Sequence, residues 1–143
     1  MVGRVRILII DDDEEFSREL SQHLTSWAQV QILTRGSEAR DWIERWQPDA
    51  VFLNPLLPDC DGFDLLDTIF TTSQVRPLVF CITSGGTARL RMPPASHWPV
   101  GSLPRTADLA AISVSLRVAC TARRERAASG DSRGMPPVLA SEP

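Results

Sequence analysis

The chain has 143 residues, 43% of them hydrophobic and 23% charged, with a formal net charge of −3, which is one core's worth of apolar material and no polybasic or acidic-tail signature. All 15 basic side chains are arginine, so Schiff-base lysines, P-loop lysines and lysine phosphate clamps are excluded. No apolar run approaches the ~20 residues of a membrane span or resembles a signal peptide, and three cysteines without CxxC spacing (Cys60, Cys81, Cys120) fit a reducing cytoplasm better than a disulfide scaffold or zinc site.

Val5-Arg6-Ile7-Leu8-Ile9-Ile10 is a β-branched, continuous run, as in a strand buried on both faces. Asp11-Asp12-Asp13 follows directly, and then a helical stretch with Phe16, Leu20, Leu24 and Trp27 on one face. Val30–Leu33 reads as a second strand. Ser37 is placed to cap a helix whose Ala39, Trp42, Ile43 and Trp46 fall at helical spacing, stopped by Pro48-Asp49. Ala50–Leu53 is a third buried strand. After a Pro-rich turn, Asp61 is placed to cap a helix carrying Phe63, Leu66, Ile69 and Phe70. Leu78–Ile82 is a fourth strand.

Residues 84–99 hold too many glycines and prolines for a good helix, with at most a turn or two near Thr87–Arg91. Trp98–Ser102 reads as a short fifth strand, interrupted by Pro99 and suited to a sheet edge. Thr106 is a candidate cap for a last helix with Asp108 in its first turn and Leu109, Ile112, Leu116 and Ala119 inward, running through Arg126. From 127 to 143 the composition shifts to Gly, Ser, Pro and Ala, a disordered tail too short for an effector domain. The expected architecture is therefore α/β: a five-stranded parallel sheet wound on both faces over residues 4–126, with a remodelled fourth-helix region.

Charge points to one end of that sheet. Residues 1–67 carry 14 acids against six arginines, and the acids gather after the first and third strands, at the carboxyl ends where such sheets place function. Clustered carboxylates repel, so a cation is expected beside Asp11 and Asp12; with no adjacent His or Cys, a hard ion such as Mg²⁺ suits them best. Asp13, Glu14 and Glu15 are accounted for by the helix N-terminus alone. His23 and His97 have no partner at motif spacing, and Ser84-Gly85-Gly86-Thr87 lacks the spacing and lysine of a phosphate loop.

Four segments in register resemble the response-regulator receiver domain, of flavodoxin-like (βα)₅ fold: Ile7–Asp13, Pro48–Asn54, Leu57–Gly62, and Pro77–Phe80 leading to Thr83-Ser84. The resemblance implies that the third strand should end in an aspartate that accepts a phosphoryl group from a histidine kinase. Asn54 stands there, followed by Pro55, which has no N–H to offer a phosphoryl oxygen. It implies metal ligation by Asp12 directly, by Asp11 through water and by the Leu56 carbonyl; with one carboxylate gone, a residual Mg²⁺ site of weakened affinity is expected. Thr83 keeps the family's fourth-strand hydroxyl, whereas Val100 stands in the slot of the switch aromatic and Leu103 in that of the lysine. Acceptor anion and ammonium are lost together, which strands neither charge.

The resemblance thus implies a stand-alone, degenerate pseudo-receiver of a bacterial two-component or phosphorelay system. It would be cytoplasmic, without enzymatic activity, and act by contact with a histidine kinase, phosphorelay or output protein, with no direct nucleic-acid or membrane role. An alternative is an active receiver phosphorylated with Mg²⁺ on Asp11, Asp12 or Asp13. A third is a ligand or peptide site at 84–102 around Trp98.

Overall fold

The computed structural model describes residues 4–72, 77–83 and 100–128. The turn expected at Thr87–Arg91, His97, Trp98, Pro99 and the tail beyond 128 lie outside the described residues.

Five parallel strands form the sheet: β1 (Val5–Ile10), β2 (Ala28–Leu33), β3 (Ala50–Leu53), β4 (Leu78–Thr83) and β5 (Val100–Pro104). Their order across the sheet is β2-β1-β3-β4-β5, so β5 is an edge, which suits a strand ending in Pro104. Successive side chains of a strand point to opposite faces, and the core divides accordingly. Ile7, Ile9, Phe52, Phe80 and Ile82 pack with Phe16, Leu20 and Leu24 of α1 (Glu14–Leu24) and Leu116 and Cys120 of α4 (Leu109–Ala128). Leu8, Ile10, Val51, Leu53, Val79 and Cys81 pack with Ala39 and Ile43 of α2 (Ala39–Trp46) and Leu65, Leu66 and Ile69 of α3 (Gly62–Thr72).

Several ends fall elsewhere than the sequence pattern suggests. The helix α1 stops at Leu24, and Trp27 reaches the core from the following turn, donating its indole N–H to Ser113 Oγ at 2.9 Å. Ser37 does not cap α2. A 3₁₀ turn at Gly36–Glu38 intervenes, and the N–H groups of Gly36 and Ser37 both donate to the Asp59 carboxylate at 3.1 Å. These backbone bonds, that of Gly36 foremost, hold the Asp59 carboxyl below its usual range. Thr106 does not cap α4; Asp108 does, accepting from the N–H groups of Ala110 and Ala111 at 3.1 and 3.3 Å. The described part of β5 runs on past the expected end at Ser102, because its pairing with β4 continues with Leu103 opposite Ile82 and Pro104 opposite Thr83.

Candidate functional site

The carboxyl ends of β1 and β3 lie side by side, with Ile10 opposite Leu53. Two backbone bonds fix where the chains leave the sheet: Asp11 N–H donates to Leu33 O at 2.9 Å, and Asn54 N–H donates to Ile10 O at 2.8 Å. The Asp11 side chain is thereby fully buried, whereas Asp12 is exposed. Asp13 caps α1, accepting from Phe16 N–H at 3.1 Å, so its helix-terminal reading holds.

Asn54, itself buried, bridges the acids. Its Nδ2 donates to Asp11 Oδ1 at 3.0 Å and Asp12 Oδ1 at 3.3 Å, and its Oδ1 accepts from Leu56 N–H at 2.9 Å. This amide orientation sets the NH₂ against both carboxylates; the flipped one would aim a carbonyl oxygen at them. Gly62 closes the loop behind, its N–H donating to Pro55 O at 3.2 Å. A Cβ on Gly62 would run into the Pro55 backbone, which accounts for glycine at that place in the Leu57–Gly62 signature.

The cation beside the acids comes from the far end of the chain. Arg105, immediately after β5, presents Nη1 to Asp11 Oδ2 at 2.7 Å and Nη2 to Asp11 Oδ1 at 3.0 Å, a two-pronged ion pair. Nη1 also lies 3.4 Å from Asp13 Oδ2, and the guanidinium carbon is 5.0 Å from the centre of the Phe16 ring. The Arg105 N–H donates to Thr83 O at 3.1 Å, continuing the β4–β5 pairing into the turn. Hydrogen bonding to Asp11, aided by the charges of Asp11, Asp13 and Asp12, holds the Arg105 pKa above its ordinary value against the opposing effect of burial.

Residues 7–92 match the family described as the response regulator receiver domain. The chain belongs to that family. Among curated proteins it is similar to the response regulator MprA of Mycobacterium sp. (strain KMS), 33% identical over 76 residues, covering 52% of this chain and 33% of that protein. It is also similar to protein-glutamate methylesterase/protein-glutamine glutaminase 1 of Pseudomonas aeruginosa PAO1, 26% identical over 104 residues, covering 71% of this chain and 28% of that protein. The chain thus spans about a third of the length of these relatives. Among solved structures, the signal receiver domain of a putative Luxo repressor protein from Vibrio parahaemolyticus superposes with a TM-score of 0.70 at 18% identity, covering 92% of this chain and all of that one. A CheY-like receiver domain from Methanospirillum hungatei gives 0.66 at 16% identity, covering 87% and 99%. At these identities the likeness speaks for the fold.

Within this receiver fold, Asp11, Asp12, Asn54 and Leu56 come together as the sequence pattern suggests. Leu103 is buried in the core shared with α1 and α4. Thr83 ends β4 beside the turn that carries Arg105, and Val100 pairs with Val79 at the start of β5. What sequence reasoning undervalued is Arg105. It stands out in the chain as the cation nearest Leu103, where the resemblance implies a lysine, but its planar fork looks unlike a lysine's point charge. Asp59, read only as part of a signature, is the clamp on the β2–α2 turn.

A divalent ion is the cofactor that the family implies, and the donor set does not suit one as arranged. Both Asp11 oxygens are taken by Arg105, and Asn54 Nδ2 lies against Asp11 Oδ1 and Asp12 Oδ1. The Asn54 carbonyl accepts from Leu56 N–H. Among the described residues no three His, Cys, Asp or Glu side chains converge on a metal-sized point.

Proposed function

We propose that this receiver-family domain is a pseudo-receiver: a protein-interaction module of a two-component or phosphorelay system that is not switched by ordinary aspartyl phosphorylation. The observation that carries this reading is the Asn54 amide, held at the acceptor position between Asp11, Asp12 and Leu56 N–H. An amide has no anionic oxygen to attack phosphorus, so an acyl phosphate cannot form there by in-line displacement. The backbone donors of the loop are also spent: Pro55 has no N–H, and that of Leu56 is bonded to Asn54 itself. Such a domain works by contact, and its partner class is a histidine kinase, a phosphorelay protein or an output protein. No described helix is long and apolar enough to cross a membrane.

The test is intact-mass spectrometry after incubation with acetyl phosphate and Mg²⁺. We expect no change in mass; a labile gain of one phosphate overturns the reading. A second reading, phosphorylation on another carboxylate, narrows by burial. Asp11 is enclosed and paired and Asp13 caps a helix, whereas Asp12 is exposed and its side chain, among the described residues, accepts only from Asn54. Labelling of the wild type that vanishes in Asp12→Asn would establish that second reading.

A further inference from the structure

We propose that Arg105 is a tethered counter-cation that stands in for the divalent ion at this receiver's acidic end, making the site independent of metal. The proposal rests on the Asn54-based reading of the site, but not on the outcome of the phosphorylation assay. Three features support it. First, the guanidinium engages both oxygens of a fully buried carboxylate, at 2.7 and 3.0 Å, so that Asp11 is neutralised from within. Second, the side chain is held along its length: its N–H is bonded to Thr83 O, its plane lies near the Phe16 ring and its Nη1 is 3.4 Å from Asp13. Third, Asn54 has already lowered the negative charge to be balanced, and its Nδ2 points into the acids where a cation would sit.

Mg²⁺ binds carboxylate oxygens at ~2.0–2.1 Å in octahedral order and gives up its waters reluctantly. To ligate Asp11 it would have to displace a guanidinium that is part of the same chain and present at an effective concentration of about millimolar or higher. A planar, weakly hydrated fork loses less in desolvation than the ion it replaces. With Leu103 in the slot where the resemblance implies a lysine, the charge beside the acids is carried instead by Arg105, two residues later, which reaches Asp11 directly.

The experiment is a titration of the full chain with Mn²⁺, read by paramagnetic broadening of the Asn54 side-chain and Leu56 backbone amide signals, alongside thermal unfolding with 10 mM MgCl₂ against NaCl of equal ionic strength. Wild type is expected to show no selective broadening at submillimolar Mn²⁺ and a Tm shift under 1 °C with Mg²⁺. Arg105→Ala is expected to bind Mn²⁺ at least tenfold more tightly than wild type and to regain several degrees with Mg²⁺, a gain abolished by adding Asp12→Ala. Selective broadening of the wild-type signals at submillimolar Mn²⁺ overturns the proposal, as does a folded Arg105→Ala with no metal response. Should Arg105→Ala fail to fold, the wild-type titration decides alone. A phosphorylated but metal-silent protein would sink the pseudo-receiver reading and leave this one standing; a metal-binding, unphosphorylated protein would do the reverse.

Discussion

Replacing the Asn54 amide with a carboxylate, Asn54→Asp, is expected to destabilise the domain. The substitution places an anionic oxygen where the Asn54 Nδ2 now donates, 3.0 Å from Asp11 Oδ1 and 3.3 Å from Asp12 Oδ1. Two attractive hydrogen bonds, worth about 1 kcal/mol each, become two repulsions. Like charges about 4 Å apart cost about 1 kcal/mol in water and about 4 kcal/mol at an effective dielectric of 20. The exposed Asp12 belongs near the lower figure. The buried Asp11 belongs near the upper one, but Arg105 already cancels most of its charge. The net cost is therefore about 3–5 kcal/mol, on the order of a 10–20 °C fall in Tm for a domain of this size. Urea unfolding followed by circular dichroism, in EDTA at neutral pH and low salt, measures it. The deficit should shrink as pH falls toward 4, since protonating the new carboxyl removes the repulsion. It should also shrink with Mg²⁺, which a third carboxylate invites back: a millimolar site in 10 mM Mg²⁺ returns about 1.4 kcal/mol. A variant as stable as wild type in EDTA, or a deficit unchanged by pH, would refute the bridging role given to Asn54.

Two further predictions concern parts away from the acids. Burial pushes the thiols of Cys81 and Cys120 from 9.0 up to about 12. Between those values the unfolded chain has lost its thiol protons and the native one keeps them, so stability is intact below pH 9 and falls as pH rises, by at most about 1.4 kcal/mol per pH unit per thiol. With neither lysine nor tyrosine in the chain, no other side-chain type ordinarily titrates there. Urea midpoints at pH 8, 9 and 10 should decline for wild type and flatten for Cys81→Ala/Cys120→Ala; parallel curves would contradict the assignment. Separately, Gly62→Ala should cost about 1–3 kcal/mol, because its new methyl meets the Pro55 backbone, which cannot swing aside. Gly36→Ala meets chiefly the Cys60 side chain, which can turn away, and should cost less by the same thermal melt. The reverse order would refute the packing argument.

The opening observation, a chain whose every basic side chain is arginine, acquires its meaning at Arg105. Composition alone establishes that no lysine can serve the site; it cannot say that a guanidinium takes over. The central strands were legible because a parallel sheet covered on both faces demands near-continuous apolar runs, and Ile7–Ile10, Ala50–Leu53 and Leu78–Ile82 meet that demand without help from the rest of the chain. Asp13 and Asp61 were legible as caps because capping is local: each accepts from an N–H two or three residues on. The acidic end of the sheet and the amide at Asn54 follow from motif register for the same reason.

The remaining features were settled across long stretches of chain. The β2–α2 turn is clamped by Asp59, 23 residues from Gly36, which displaces Ser37 from the capping role its position suggests. The far end of β5 is set by its register on β4, where Pro104 stands opposite Thr83. Arg105 meets Asp11 across 94 residues. Sequence spacing fixes which groups can meet along one helix or at one strand end. Which charges meet across the sheet depends on strand order and on where each strand ends, and only the tertiary fold brings the chain leaving β5 over the mouth of β1. A buried carboxylate must find a partner in whatever the fold delivers, and here it delivers the guanidinium of Arg105.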